Sequence, residues 1–457
     1  MFGFVYTTPT KVYFGKGTEA KAGQLLREAG ASCVLIHYGG GSCVRSGLLD
    51  RVILSVEEAG LKHVELGGVV PNPHLGKVRE GIALGKESGA DFILAIGGGS
   101  VIDSAKAISY GLAEPDLDVW ELFEKKRAAK AVLPVASILT ISASGSETSN
   151  SCVITNEETW EKRSYNDDIA RPVFAIMDPE LTMSLPDYQT QAGCSDIMMH
   201  TLERYFTQGG NMELTDGIAE SLLRTVMKYA LILRDDPLNY EARAEIMWAG
   251  SLSHNGLTGC GNDGGDFACH GMEHELGGLF DVTHGAGLTA LWPTWARYVY
   301  RDCLPRFVRF AKNVMGVDAD DISGAGAAAA SLSGGAAASL ACRRVSSPYD
   351  ERRNCGASCA DDIFGSGGAG ASGSGGAGTS GSGAALDEKI ALLGIDALED
   401  FFRQIGMPVT LHELGVDPTD EQILEMASAC ARSHGGSKGS ARRLYEEDFA
   451  EIYRRAR

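Results

Sequence analysis

Five residues in the second half of the chain have the types and spacing to hold a metal ion. Asp196 and His200 stand four apart in CSDIMMHTLE, His270 and His274 repeat that spacing in CHGMEHELGG, and His284 follows in VTHGAGL. Residues i and i+4 of a helix share a face, so each pair can aim two donors at one point. A single such pair arises readily on any helix surface. Two pairs plus a further histidine beside glycine, all in one helical stretch, point instead to a metal centre. One carboxylate with several imidazoles suits a borderline divalent ion such as Fe²⁺ or Zn²⁺ better than Mg²⁺ or Ca²⁺. The zinc-protease pattern HExxH is excluded, because Gly278 stands where the second histidine would follow His274-Glu275.

A second chemistry is written in glycine. Gly39-Gly40-Gly41-Ser42 follows the apolar run CVLIHY (33–38), and Gly97-Gly98-Gly99-Ser100 follows DFILAI (91–96); each precedes a helix-like segment. Glycine lets the backbone approach a phosphate closely, and the helix N-terminus adds unpaired N–H donors. Neither turn is the GxGxxG dinucleotide fingerprint. A third small-residue loop, Ile141 to Glu147, offers serine hydroxyls and equally suits a capped helix start.

The elements that must position these groups fall into two patterns. In the first half, apolar strand candidates such as CVLIHY, KHVELGGV (62–69) and DFILAI alternate with helical stretches, which implies a parallel sheet covered on both faces. From about Asp187 the apolar spacing turns helical and strand-like runs become rare. The fold expected is therefore an α/β N-terminal domain over 1–186 and an all-α domain over 187–322 and 386–457. Residues 323–385 are Gly/Ala/Ser-rich around a centre bearing Cys342, Cys355 and Cys359. Their composition is that of a flexible linker-borne insert. The cleft between the two domains is the expected site.

Composition narrows the partners. The 457 residues carry 41 basic and 60 acidic side chains, a formal net charge of −19. That balance argues against nucleic acid, which asks for a basic stripe. No run reaches membrane-spanning length, and the N-terminus lacks the signal-peptide pattern. The 11 cysteines lack paired CxxC spacing and read as reduced thiols of a cytoplasmic protein.

GGGSVIDSAKA, LTISASGSET, MDPELTMSLP, DIMMHTLE and HGMEHELGGLFDVTHGAGL occur in order and together resemble the iron-containing (group III) alcohol dehydrogenases, nearest the NADPH-dependent butanol dehydrogenase and aldehyde reductase branch. The resemblance covers about 1–322 and 386–457. It implies a dinucleotide-binding α/β domain, a helical metal domain and a homodimer. It assigns the metal, Fe²⁺ before Zn²⁺, Ni²⁺ or Mn²⁺, to Asp196, His200, His270 and His284, and places His274 beside the substrate as a proton relay. Gly97, Gly98, Gly99, Ser100 and Asp103 would hold the pyrophosphate, with Ser142, Ser144, Ser146 and Lys162 along the cofactor. Serines at 142 and 144 replace the family's usual Pro and Thr, and the 323–385 segment has no counterpart in that pattern.

The implied reaction passes hydride between a nicotinamide and a primary alcohol or aldehyde such as butanol or butyraldehyde. The end of the 33–38 strand meets Gly39, Gly40, Gly41 and Ser42 with no carboxylate to repel a 2′-phosphate, which predicts NADP(H) over NAD(H). Alternative readings are a dehydroquinate-synthase-like or glycerol-dehydrogenase-like enzyme, or a scaffold displaying the 323–385 insert. The apolar metal region LGGLFDVTHGAG, poor in Lys and Arg, speaks against the phosphorylated substrate of the first.

Overall fold

A computed structural model describes residues 1–317 and 380–457. Among these residues eight strands form in chain order: β1 (Lys11–Phe14), β2 (Cys33–Gly39), β3 (Lys62–Val69), β4 (Phe92–Gly97), β5 (Val135–Leu139), β6 (Ser151–Asn156), β7 (Glu161–Asn166) and β8 (Phe174–Met177). Six of them build one parallel sheet in the order β1-β8-β5-β4-β2-β3, and β6 pairs antiparallel with β7. Every residue of β4 is buried, as an unbroken apolar run must be when helices cover both faces. Those covers are α1 (Ala22–Glu28), α2 (Ser42–Arg45), α3 (Leu48–Glu58), α4 (Leu75–Ser88), α5 (Gly99–Ala113) and α6 (Trp120–Phe123).

Strand order fixes where a ligand goes. From β2 the chain continues to β3 on one side, whereas from β4 it continues to β5 on the other, and β2 lies beside β4. Ligands bind outside the carboxyl ends of strands at such a reversal. Both Gly-Gly-Gly-Ser turns sit there. Gly41 adopts φ 109° between β2 and α2, a conformation that asks for glycine. A Cβ on Gly99, the first residue of α5, would stand 2.2 Å from Ser144 Oγ, so that Ser144 would have to turn aside.

The rest of the described residues are mainly helical: α7 (Asp187–Tyr205), α8 (Glu213–Asp235), α9 (Tyr240–His254), α10 (Ala268–Phe280), α11 (His284–Val299) and α12 (Leu304–Asn313), then α13 (Ser380–Gln404), α14 (Asp420–Ser433) and α15 (Glu446–Ala456). Its core stacks Phe206 on Phe307 at 4.2 Å beside Trp292 and Trp295. α7 and α11 are buried almost all round, which holds their polar residues rigidly. No described helix is long and apolar enough to cross a membrane.

The expected insert, 323–385, lies largely outside the described residues. One boundary moves: α13 starts at Ser380, ahead of the expected 386. Ala384 and Ala385 are strong helix formers, so the amphipathic helix packed through Ile390 and Ile395 propagates back into the segment.

Candidate metal and cofactor site

A cleft of about 1390 Å³ runs from the two glycine turns to the helical domain. Its far wall carries Asp196 and His200 from α7, His270 and His274 from α10, and His284 at the start of α11. Ligand atoms of Asp196, His270 and His284 lie within 4.8 Å of one another. Asp196 Oδ1 is 3.8 Å from His270 Nε2 and 3.7 Å from His284 Nε2. Asp196 Oδ1 and His270 Nε2 are buried without a hydrogen-bond partner, and orphaned polar atoms of that kind require a partner. A divalent cation fits them. His200 completes the wall, its ring 4.4 Å from His270. Its Nδ1 donates 2.9 Å to the Asp196 carbonyl and lies 3.0 Å from Asp196 Oδ1, which leaves Nε2 as the free nitrogen; His200 stands beside the three converging groups rather than among them.

Two buried glutamates set the other rings. Glu203 accepts from His270 Nδ1 and from the backbone N–H of Cys269 at 2.7 Å. Glu273 accepts from His284 Nδ1 and from Lys162 Nζ at 3.1 Å. Each carboxylate fixes an Nδ1–H tautomer, leaving the Nε2 lone pair toward the cluster and raising its basicity. Glu203 and Glu273 each follow a cluster histidine by three residues, in HTLE and HGME, and they support His270 and His284 respectively.

The charges reinforce this geometry. Burial alone would push the Asp196 carboxyl up, but His200 and His284 hold it well below the carboxylate range. Burial opposes charge on His270, yet Glu203 outweighs it and pushes that imidazole up to about 9. Burial brings His200 down to about 4. The centre attracts positive charge and keeps a neutral imidazole beside it. His274 lies on the next turn of α10, its ring 5.9 Å from that of His284, with its pKa held well below the usual value by burial and then by Lys162.

At the glycine-turn end, Gly39, Gly40, Ser42, Gly97, Gly98, Gly99, Ser100, Asp103, Ser144 and Ser146 line the cleft, whereas Lys162 lines it on the histidine side, tied to Glu273. Gly41 makes the turn behind them. Asp103 is already engaged: it accepts from Ser146 Oγ at 2.5 Å and from the Val153 N–H at 2.9 Å. Its role here is to pin the serine loop and the hairpin. Ser142 departs from expectation. It lines a separate small void with Thr190, Arg243 and Ile246, because its carbonyl packs against Gly193 of α7 and turns the side chain away from the cleft.

Sequence spacing did not single out Lys106, whose buried ammonium donates to the carbonyls of Ser146 (2.7 Å), Ser149 (3.0 Å) and Ser151 (2.8 Å). Burial lowers it to about 8 against the opposing pull of Asp103. It holds the serine loop closed from beneath. His254 was also missed; its ring stands 4.0 Å from His200, and its Nδ1 is buried without a partner. The isolated SLSHN context carries no spacing signal.

Comparison with known proteins agrees with this architecture. Residues 9–179 match the family model for iron-containing alcohol dehydrogenases, and residues 190–338 match that for their C-terminal domain. The chain is 36% identical over 457 residues to NADH-dependent butanol dehydrogenase A of Clostridium acetobutylicum, covering 100% of both. It is 35% identical over 295 residues to the NADPH-dependent aldehyde reductase of Escherichia coli, 64% of this chain and 75% of that protein. The crystal structure of NADH-dependent butanol dehydrogenase A from Thermotoga maritima superposes with a TM-score of 0.82 at 34% identity, covering 100% of this chain and 99% of that one. The relatives therefore include both NADH- and NADPH-dependent enzymes, so the similarity reaches the family without fixing the nucleotide. With a six-stranded parallel sheet, a helical wall of one aspartate and four histidines, and matches across both halves, this chain belongs to the iron-containing alcohol dehydrogenase family, whose members are metal-dependent, NAD(P)-linked oxidoreductases.

Proposed function

We propose that this protein interconverts short primary aldehydes and alcohols, butyraldehyde and butanol among them, with Asp196, His200, His270 and His284 holding Fe²⁺. The observation that carries this reading is the pair of orphaned atoms, Asp196 Oδ1 and His270 Nε2, facing His284 at one end of a cleft whose other end is the glycine turns. A divalent ion bound there would supply Lewis acidity toward the substrate oxygen, and the nicotinamide supplies the hydride. The chain's own residues do the rest. Glu203 and Glu273 orient the ligand rings, and Gly97–Ser100 at the head of α5 cradle the pyrophosphate. Lys106 and Asp103 hold the serine loop, with Ser144 and Ser146, against the cofactor. His274 stands at the cleft wall to pass a proton between substrate and solvent.

NADP(H) is the preferred nucleotide in this reading. The end of β2 presents no carboxylate, and Arg45 lines the cleft beside Gly41. One observation favours NAD(H) as a second reading: Glu19 also lines the cleft and has a buried, unpartnered Oε2 while Arg51 holds Oε1 at 3.3 Å. The protein acts as a homodimer, supported by the exposed apolar N-terminus of Met1, Phe2, Phe4 and Val5. The unpaired thiols of the described cysteines fit a reducing, cytoplasmic setting. Turnover of butyraldehyde by the Fe²⁺-loaded protein, with NADPH and NADH in parallel, tests both statements; no turnover with either would end the first, and a higher kcat/KM with NADH the second.

A further inference from the structure

Past the metal ligands the cleft continues along Arg204, Phe267, Gly271 and Lys438. Phe267 is the centre of this extension. Its ring lies 5.7 Å from that of His270, the Arg204 guanidinium 4.9 Å from its centroid, and the Lys438 ammonium 5.8 Å. It sits in the left-handed region at φ 55°, at the foot of α10, a conformation a bulky side chain keeps only when its surroundings impose it.

Arg204 and Lys438 are both cations without an ion-pair partner among the described residues. Arg204 is fixed by donating to the carbonyls of His200 (2.7 Å) and Ser253 (3.1 Å). The half-buried Lys438 ammonium donates no hydrogen bond to the described residues. Two carboxylates stand near, but neither lines the cleft. Glu203 is 0% exposed and occupied by His270 and Cys269. Asp266 is 1% exposed and accepts three backbone N–H groups, from Ala268, Ser440 and Ala441. The positive groups thus face the substrate space, and the negative ones lie behind its wall. Desolvating an ammonium without a partner is costly, and a pocket for a plain alkyl chain gains nothing from it.

We propose that Arg204 and Lys438 form an anion subsite, so that the preferred substrates are short aldehydes bearing a carboxylate at the end remote from the carbonyl. The proposal rests on the aldehyde-reductase reading above. Hydride passes from the nicotinamide to the carbonyl carbon and a proton to its oxygen, yielding the hydroxy acid and oxidised cofactor. The carboxylate is bound and left unchanged.

Succinic semialdehyde and butyraldehyde share chain length and differ in the terminal carboxylate, so their kinetics with the metal-loaded enzyme isolate the subsite. We expect kcat/KM to favour succinic semialdehyde by about tenfold or more, carried by KM and reduced by added salt. Lys438→Met should abolish that preference while leaving butyraldehyde within about twofold, and Lys438→Arg should retain it. A wild type that prefers butyraldehyde overturns the proposal. So does a Lys438→Met variant that loses both substrates alike, which would make Lys438 a structural counter-charge to Glu203. Succinate binding to the holoprotein, followed by calorimetry, reads the subsite without turnover. If neither aldehyde reacts but succinate binds and Lys438→Met weakens it, the subsite stands and the aldehyde-reductase reading falls. Succinate binding indifferent to Lys438→Met overturns the subsite.

Discussion

Glu273→Gln separates the support of the metal centre from the centre itself. Glu273 touches no substrate space; its carboxylate is fully buried and shared between His284 Nδ1 and Lys162 Nζ. Glutamine keeps the size and one acceptor oxygen, so the His284 tautomer can survive. The charge is lost, and with it the enhanced basicity of His284 Nε2. Loss of such a supporting carboxylate typically weakens metal binding by about 10–100-fold, close to 1.4–2.8 kcal/mol. A second cost falls on the apoprotein, because Lys162 is left as a buried cation facing an amide. Breaking a buried pair costs about 3–5 kcal/mol, and the low end applies because Lys162 lines the cleft and can turn toward water. The assay is competition of the holoprotein against a graded chelator series, with denaturant unfolding of the apoprotein measured alongside. We expect the apparent metal Kd to rise at least about tenfold, kcat to recover at saturating metal, and the apoprotein to lose about 3 kcal/mol. Unchanged metal affinity in a stably folded Glu273→Gln would refute the assignment of His284 as a ligand tuned by this carboxylate.

Other perturbations follow from the same geometry. His200→Ala or His270→Ala should abolish turnover yet leave NADPH binding, read by cofactor fluorescence, within about threefold, since ligands and glycine turns lie on different domains. Gly99→Ala should weaken cofactor binding by tenfold or more, about 1.4 kcal/mol, because its Cβ would stand 2.2 Å from Ser144 Oγ; unchanged KM for NADPH would show that the loop yields freely. Gly39→Asp or Gly40→Asp should shift kcat/KM toward NADH by placing a carboxylate at the end of β2; a retained NADPH preference would move the determinant to Arg45 or Glu19. Joining Ile322 to Ser380 through a short turn should keep kcat/KM within a few-fold, because loop closure depends weakly on length; loss of folding would make the segment part of the domain.

Where sequence was legible, the reason is periodicity with a local cause. The run KHVELGGV corresponds residue for residue to β3, and both glycine turns sit between a strand and a helix as their chemistry requires. Asp196 with His200, and His270 with His274, share helix faces because i+4 spacing is enforced by the helix itself. What escaped the reading depends on tertiary packing. Glu203 and Glu273 look like solvated helix glutamates until α10 and α11 close over them. Lys106 sits in a mostly apolar helix, and only the fold shows the three carbonyls gathered around its ammonium. The hairpin β6–β7 mixes charged residues into short strands, so its alternation is faint. Ser142 differs from Ser144 only in which side of the loop meets α7, and residue type does not encode that.

The central claim is that Asp196, His200, His270 and His284 hold a divalent metal at the end of the cofactor cleft. Anomalous diffraction at the iron edge from crystals of the Fe²⁺-loaded protein tests it most directly. The account predicts one strong peak bonded to Asp196 Oδ1 and to Nε2 of His200, His270 and His284. A peak at the neighbouring group of Glu273, His274 and His284, which also brings its ligand atoms within 4.8 Å, or no peak in either place, would contradict it.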